Sequence, residues 1–393
     1  MSGAKPLTEI DAPQDEADTG GDVGNDVAMS NPPSLTMRAA VLLGNGGPEM
    51  LVLRDDVTAP IPRSGEALIR VAACGVNNTD INTRVGWYSK SVTSGTSSDG
   101  FAESQTDDAT WGRGGLAFPR IQGADVCGEV VSVGATDDEP LVGRRVLVDP
   151  WMRDADEPDD RSLAGYLGSE HDGGFAEYCV VPARNVHAIE SPLSDVELAS
   201  FACSWSTAEH MLQRVDLRAG QSIAVPGASG GVGGALVQLA KRRDATVIAV
   251  AGPTKLDPVR ALGADHVVAR DADDLVEAVV AANGGPLDVV ADIVGGTDFV
   301  AWLEALRRGG RYVTSGAIAG PLVELDLRTL YLNDLELYGA TVYPPPVFAD
   351  LVGYIERGEV RPVVGGTYPL EKIATAQADF VEKRHTGSLV ITL

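Results

Sequence analysis

Apolar and polar residues alternate from Met37 onward. Arg38-Ala39-Ala40-Val41-Leu42-Leu43 and Met50-Leu51-Val52-Leu53 read as strands joined by turn residues at Gly44 to Pro48, and Ala67 to Ala73, Gly123 to Val133 and Arg145 to Val148 add more. Short strands at close spacing, punctuated by glycine and proline, predict a compact β-rich region with no helix of consequence. Two stretches interrupt the pattern. Ser91 to Phe118 is rich in Ser, Thr, Asp and Gly, and so long a loop inside a compact domain is expected either to be disordered or to form a lid over a site. Trp151 to Asp172 reads as a second acidic loop of the same kind.

At Ser194 the period becomes helical, through Val196, Leu198 and Ala199 and later Met211 and Leu212. Strands and helices then alternate. The strand Ser222 to Val225 leads through a glycine-rich turn into a helix over Val237, Leu239 and Ala240; Thr246 to Val250, His266 to Val268, Asp288 to Asp292, Arg311 to Ser315 and Leu335 to Gly339 are the later strands. Helices are expected between them over Val259 to Leu262, Leu275 to Ala282 and Phe299 to Arg308. This order predicts a parallel doubly wound sheet with its ligand at the carboxyl edge. After Pro344-Pro345-Pro346 come a helix, Val347 to Arg357, and a closing strand, Ser388 to Thr392, which we place back on the β-rich region. The expected division is an acidic leader over 1–36, a β-rich domain over 37–203, a nucleotide-binding domain over 204–342 and a return segment over 343–393.

The turn itself carries chemistry. In Gly227-Ala228-Ser229-Gly230-Gly231-Val232-Gly233 the missing side chains let a phosphate approach backbone N–H groups at a helix N-terminus, with a strand before and a helix after. Ser229, Gly230, Gly231, Val232 and Gly233 are therefore the expected pyrophosphate contacts.

Charge narrows the partners. Thirty-one basic against 56 acidic side chains give a formal charge of −25, a surface that repels nucleic acid and anionic membrane. Lysine is confined to six positions, and scarce lysine with strong acidity resembles proteins of salt-loving organisms, in which salt screens self-repulsion. The thermal midpoint is expected to rise with molar KCl; a flat or falling midpoint overturns that reading. Met1 to Thr36 has neither the basic start nor the apolar core of a signal peptide and is expected to be a disordered acidic leader, or to follow from a start codon assigned too far upstream. The four cysteines are far apart, and reduced thiols in a cytoplasm are expected.

From Met37 to Leu393 the chain resembles the medium-chain dehydrogenase/reductase superfamily. The matching words are Ala73-Cys74-Gly75-Val76-Asn77-Asn78-Thr79-Asp80, Gly123-Ala124-Asp125-Val126-Cys127-Gly128, the turn at Ala228 to Gly233, Arg260-Ala261-Leu262-Gly263-Ala264-Asp265 and His385-Thr386-Gly387. The resemblance implies an α/β fold: a GroES-like β-rich catalytic domain plus a Rossmann domain. Zinc alcohol dehydrogenases of this superfamily hold their metal with a Cys, a His and a second Cys or Asp; here Asn77 and Ala124 stand at the first two places and only Cys203 at the third, so no catalytic metal is expected. The zinc-free branch is more similar. Asn77 to Asn82 followed by Gly86-Trp87-Tyr88 resembles the segment of quinone oxidoreductases and 2-enoyl thioester reductases in which the tyrosine reaches the substrate, which implies Tyr88 as acid, Asn77 as polar clamp and Thr79 as a binding hydroxyl.

The strand ending Val250-Ala251-Gly252-Pro253-Thr254 carries no acid for the ribose hydroxyls of NAD, and Lys255 falls where similar members place a lysine on the 2′-phosphate, so NADPH is the expected cofactor. The resemblance adds Thr207 beside the nicotinamide and backbone at Gly295 and Gly316 toward the ring, and suggests a homodimer. The expected activity is hydride transfer from NADPH to a quinone or an α,β-unsaturated carbonyl. Two readings stand beside it: an alcohol dehydrogenase with zinc held unconventionally by Cys203 and Asp125, and a non-catalytic NADPH-binding protein.

Overall fold

A computed structural model describes residues 36–96, 110 and 115–393 of the chain. The leader, and most of the stretch expected to be disordered or a lid at Ser91 to Phe118, lie outside the described residues.

The strand Glu66–Val76 is the hub of the β-rich part. It pairs antiparallel with Asp125–Val133 and Tyr178–Pro182, and its far end takes the closing strand Ser388–Thr392 in the register Leu389↔Val76 to Thr392↔Ala73. A second strand of the tail, Val364–Pro369, lies parallel to Ser388–Thr392, so the end of the chain is built into the sheet that carries the Asn77 word.

The other sheet has six parallel strands, in spatial order His266–Ala269, Thr246–Ala251, Ser222–Val225, Leu287–Asp292, Leu306–Thr314 and Glu336–Gly339. Because side chains alternate across a strand, Ile223, Val225, Val247, Ala249, Val289 and Ala291 pack on one face with the helices Ala202–Arg214, Gly231–Arg242 and Pro346–Glu356. On the opposite face Ala224, Ile248, Val250 and Val290 pack with Phe299, Trp302 and Leu303. Both faces are covered, which is why these strands read as apolar runs rather than as alternation. The spatial order reverses beside Ser222–Val225, the position at which such sheets open a crevice for a ligand.

Three expectations are corrected. The β-rich part does contain a helix, Asn78–Val85, inside the word singled out above. Trp151 to Asp172 is not a loop of the kind expected: Trp151–Met152 pairs with Gly165–Tyr166 as a buried hairpin, because Trp151, Met152, Tyr166 and Leu167 bury apolar surface that a solvated loop would expose. The helix expected to run to Arg308 stops at Glu304, and Leu306 instead pairs with Leu287 as the start of a strand. Among the described residues no helix is long and apolar enough to cross a membrane. All four cysteines are free thiols.

Candidate active site

The helix Asn78–Val85 is held by its ends, since only Ile81 and Val85 among its residues are aliphatic. At its start the Asp80 carboxylate reaches back to the Asn77 backbone N–H at 2.7 Å. At its end Gly86 adopts φ 70°, a left-handed conformation that glycine enters without steric cost, and the N–H of Trp87 closes onto the Asn82 carbonyl at 2.8 Å. That cap turns Trp87 and Tyr88 back toward the site. The helix is anchored from behind by Arg84, whose guanidinium donates to Gln377 Oε1 and to the Gly46 carbonyl, both at 2.8 Å.

Asn77, Thr79, Tyr88, Thr207, Val232 and Gly316 line one cleft, whose cavity volume is about 150 Å³. Ser229, Gly230 and Gly231 line a narrower groove against Thr386, Gly387 and Ser388, and the next residue along the chain, Val232, lines the cleft. The tail closes over that turn through the Gly387 N–H, which donates to the Ser229 carbonyl at 2.9 Å. Gly233 faces neither recess: a Cβ there would sit 2.2 Å from the Gly227 carbonyl oxygen, so its role is to let the helix press against the turn. Gly295 also lies outside both linings, packed against Gly320 and Ala317. Lys255 stands apart from the cleft, with its ammonium on the carbonyl oxygens of Lys383 and His385.

The Tyr88 hydroxyl donates to Thr79 Oγ1 at 3.2 Å, and burial pushes the phenol above its ordinary pKa, so it stays protonated through the neutral range. Thr207 donates its hydroxyl to the Cys203 carbonyl at 2.7 Å and keeps its lone pairs for the cleft. Asn77 donates its side-chain amide to Asp125 Oδ2 at 2.9 Å, while Asp125 Oδ1 accepts the backbone N–H of Cys203. Burial raises both Asp80 and Asp125 to about 7, and for Asp80 the neighbouring Asp125 adds to the rise. Burial likewise pushes the Cys203 thiol far up, so it is held as the neutral thiol.

These donors do not make a catalytic zinc site. Such a site takes three protein ligands, and here an amide and a methyl group stand at Asn77 and Ala124. The Asp125 carboxylate is already engaged through both oxygens, and no cluster of three His, Cys, Asp or Glu is suited to a metal ion among the described residues. Periodicity gave no sign of the remaining lining: Asn82, Trp87, Trp151, Tyr166 and Ser315 also face the cleft. The only local signal was the Asn77-to-Asp80 capping spacing followed by Gly86.

Residues 63–191 match the alcohol dehydrogenase GroES-like domain family, and residues 231–357 the zinc-binding dehydrogenase family. A quinone oxidoreductase of Mus musculus is 28% identical over 91% of the chain and 98% of that protein. An NAD-dependent alcohol dehydrogenase of Sulfurisphaera tokodaii is 26% identical over 90% of the chain and 99% of its own length. Among solved structures, a Sinorhizobium meliloti 1021 protein provisionally named an alcohol dehydrogenase is 48% identical, covers 91% of this chain and 97% of that one, and superposes with a TM-score of 0.84.

Proposed function

The chain belongs to the medium-chain dehydrogenase/reductase superfamily and is an oxidoreductase, and we propose that it uses NADPH to reduce a quinone or an α,β-unsaturated carbonyl without a catalytic zinc ion. The observation that carries this reading is the lining of one cleft. A protonated phenol, a hydroxyl and an amide from Tyr88, Thr79 and Asn77 share it with the helix start at Val232, where zinc chemistry would need a set of three ligands that is not found among the described residues.

Bound NADPH supplies the hydride. The turn Ser229 to Val232 fits the pyrophosphate, Thr207 and Gly316 fit the nicotinamide end, and Lys255 the 2′-phosphate. The aromatic walls of Trp87, Trp151 and Tyr166 favour a flat acceptor and limit water around it. As the acceptor's carbonyl oxygen takes up negative charge, the Tyr88 O–H turns from Thr79 to that oxygen and stabilises or protonates it.

The test is a screen of NADPH and NADH oxidation in high salt against quinones, enones and aldehydes. Oxidation on none of them leaves the non-catalytic reading. Alcohol dehydrogenase activity depends on whether zinc copurifies: the kinship with the Sulfurisphaera and Sinorhizobium proteins favours that second reading, and metal analysis separates the two.

We also propose that the enzyme is a cytoplasmic homodimer. Leu322, Leu327 and Tyr331 are 70%, 64% and 62% exposed in the stretch that leads into the strand Glu336–Gly339, which ends the sheet with one side unpaired among the described residues. The double substitution Leu327→Glu with Tyr331→Glu is expected to elute at monomer size in gel filtration, and unchanged elution argues against this face.

A further inference from the structure

A single carboxylate ties two walls of the cleft together. Asp125 opens the strand Asp125–Val133 directly opposite Gly75, and only 1% of it is exposed. Its side chain has room over the neighbouring strand because residue 75 is glycine: a Cβ there would sit 2.7 Å from Asp125 Oδ2. Asp125 Oδ1 accepts the backbone N–H of Cys203, and Oδ2 accepts the Asn77 amide Nδ2 at 2.9 Å. Asn77, Cys203 and Thr207 all line the cleft.

Each bond does something that no local residue does. The helix Ala202–Arg214 carries Cys203 and Thr207 and begins after Phe201, whose side chain has no acceptor for the unpaired N–H groups of the first turn. Asp125 supplies that acceptor from another strand, and a negative charge suits the positive end of a helix dipole. Asn77 has a different need. Its amide carries a donor at one end and an acceptor at the other, so by itself it has no fixed direction. The oxygen of Asp125 that faces it draws the nitrogen inward and repels the amide oxygen. An amide held in one direction offers bound substrate the same groups at every encounter and has no rotation to give up as charge develops.

Building on the reading of the cleft given above, we propose that Asp125 is a positioning residue for the reduction, setting the direction of the Asn77 amide while capping the helix that carries Thr207. Asp125→Asn separates these duties. The Cys203 N–H claims the one oxygen of the new amide, whose nitrogen is left facing the Asn77 nitrogen. Asn77 must then turn over to bring its oxygen round.

The test uses two readouts. In turnover, Asp125→Asn is expected to lower kcat roughly tenfold or more with NADPH affinity within about twofold, because the helix keeps its cap. Asn77→Ala is expected to lose as much, and adding Asp125→Asn to it is expected to change kcat by less than about twofold. The second readout needs no turnover. With isotopically labelled asparagine, the Asn77 side-chain amide is the NMR signal missing from Asn77→Ala. Its exchange with water is expected to be roughly tenfold slower than that of exposed asparagines, and to speed up by about that factor in Asp125→Asn. The exchanged pair, Asp125→Asn with Asn77→Asp, again sets a donor opposite an acceptor. It is expected to fold and bind NADPH even if Asp125→Asn alone does not fold, with kcat still roughly tenfold or more below that of the unsubstituted protein. Unchanged kcat in folded Asp125→Asn, an equal loss with and without Asn77, full kcat in the exchanged pair, or an Asn77 amide that exchanges as fast as exposed ones overturns the proposal. Failure of the unsubstituted protein to oxidise NADPH on any quinone or enone instead overturns the functional reading, and the amide exchange still judges Asp125.

Discussion

Replacing Tyr88 by phenylalanine is expected to lower kcat on a quinone or enone by roughly 100-fold or more, the usual size of a positioned acid's contribution, while NADPH binding is retained. The expectation follows from what the hydroxyl does at rest. It donates to Thr79 Oγ1 at 3.2 Å, and burial keeps the phenol protonated, so a donor stands ready in the cleft. Its strong interaction is left for the moment when the acceptor oxygen carries charge. The structural cost of the change is small. The ring remains edge-on to Trp87, and each neutral hydrogen bond lost costs only about 0.5–1.5 kcal/mol of stability. Stopped-flow or steady-state NADPH oxidation by the variant checks the point, with cofactor affinity from fluorescence quenching as the control. Full turnover would remove Tyr88 from the chemistry.

The parallel sheet was legible because each of its strands is buried on both faces and so stands out as an apolar run between glycine-marked turns. Ser222–Val225 and Ser388–Thr392 emerge from the sequence with the limits the structure gives them, whereas the helix begins at Gly231, inside the stretch read as the turn. The helix that presents the site's own residues did not. Asn78–Val85 offers two aliphatic side chains and is specified by a cap at each end and by Arg84 reaching Gln377, a residue 293 positions away. Long-range partners likewise explain the 151–172 stretch: its acidic middle suggests a solvated loop, but Trp151 and Tyr166 at its ends are buried against the helix Ala202–Arg214 and its neighbours, packing that no local period encodes. The contact between the tail and Lys255 was hidden for the same reason. Lys255 reads as a residue at a strand end, and only folding reveals that its amine meets the carbonyls of Lys383 and His385.

That contact shapes the second large expected effect, on cofactor preference. Lys255 has two duties to separate: tying down the segment at Lys383 to His385, and, on the functional reading, holding a 2′-phosphate. Its surroundings favour an anion. Burial lowers its pKa below the ordinary lysine value and the nearby Arg270 lowers it further, and Lys383 is brought to about 7 by burial and by Lys255 itself. Positive charge is thus gathered at one spot of a chain that carries −25 overall, and a bound phosphate would relieve the repulsion. Lys255→Gln keeps an N–H donor for the two carbonyls and discards the charge. Losing a charge-assisted hydrogen bond costs about 1.5–3 kcal/mol, so kcat/KM for NADPH is expected to fall roughly 10- to 100-fold while that for NADH stays within about twofold. Lys255→Ala removes both duties and is expected to add an equal loss on the two cofactors. The ratio of NADPH to NADH efficiency therefore isolates the phosphate, because anything the lysine does for the tail cancels from it. A ratio that does not move in Lys255→Gln would make the lysine a tie for the tail and leave the preference for NADPH without its proposed source.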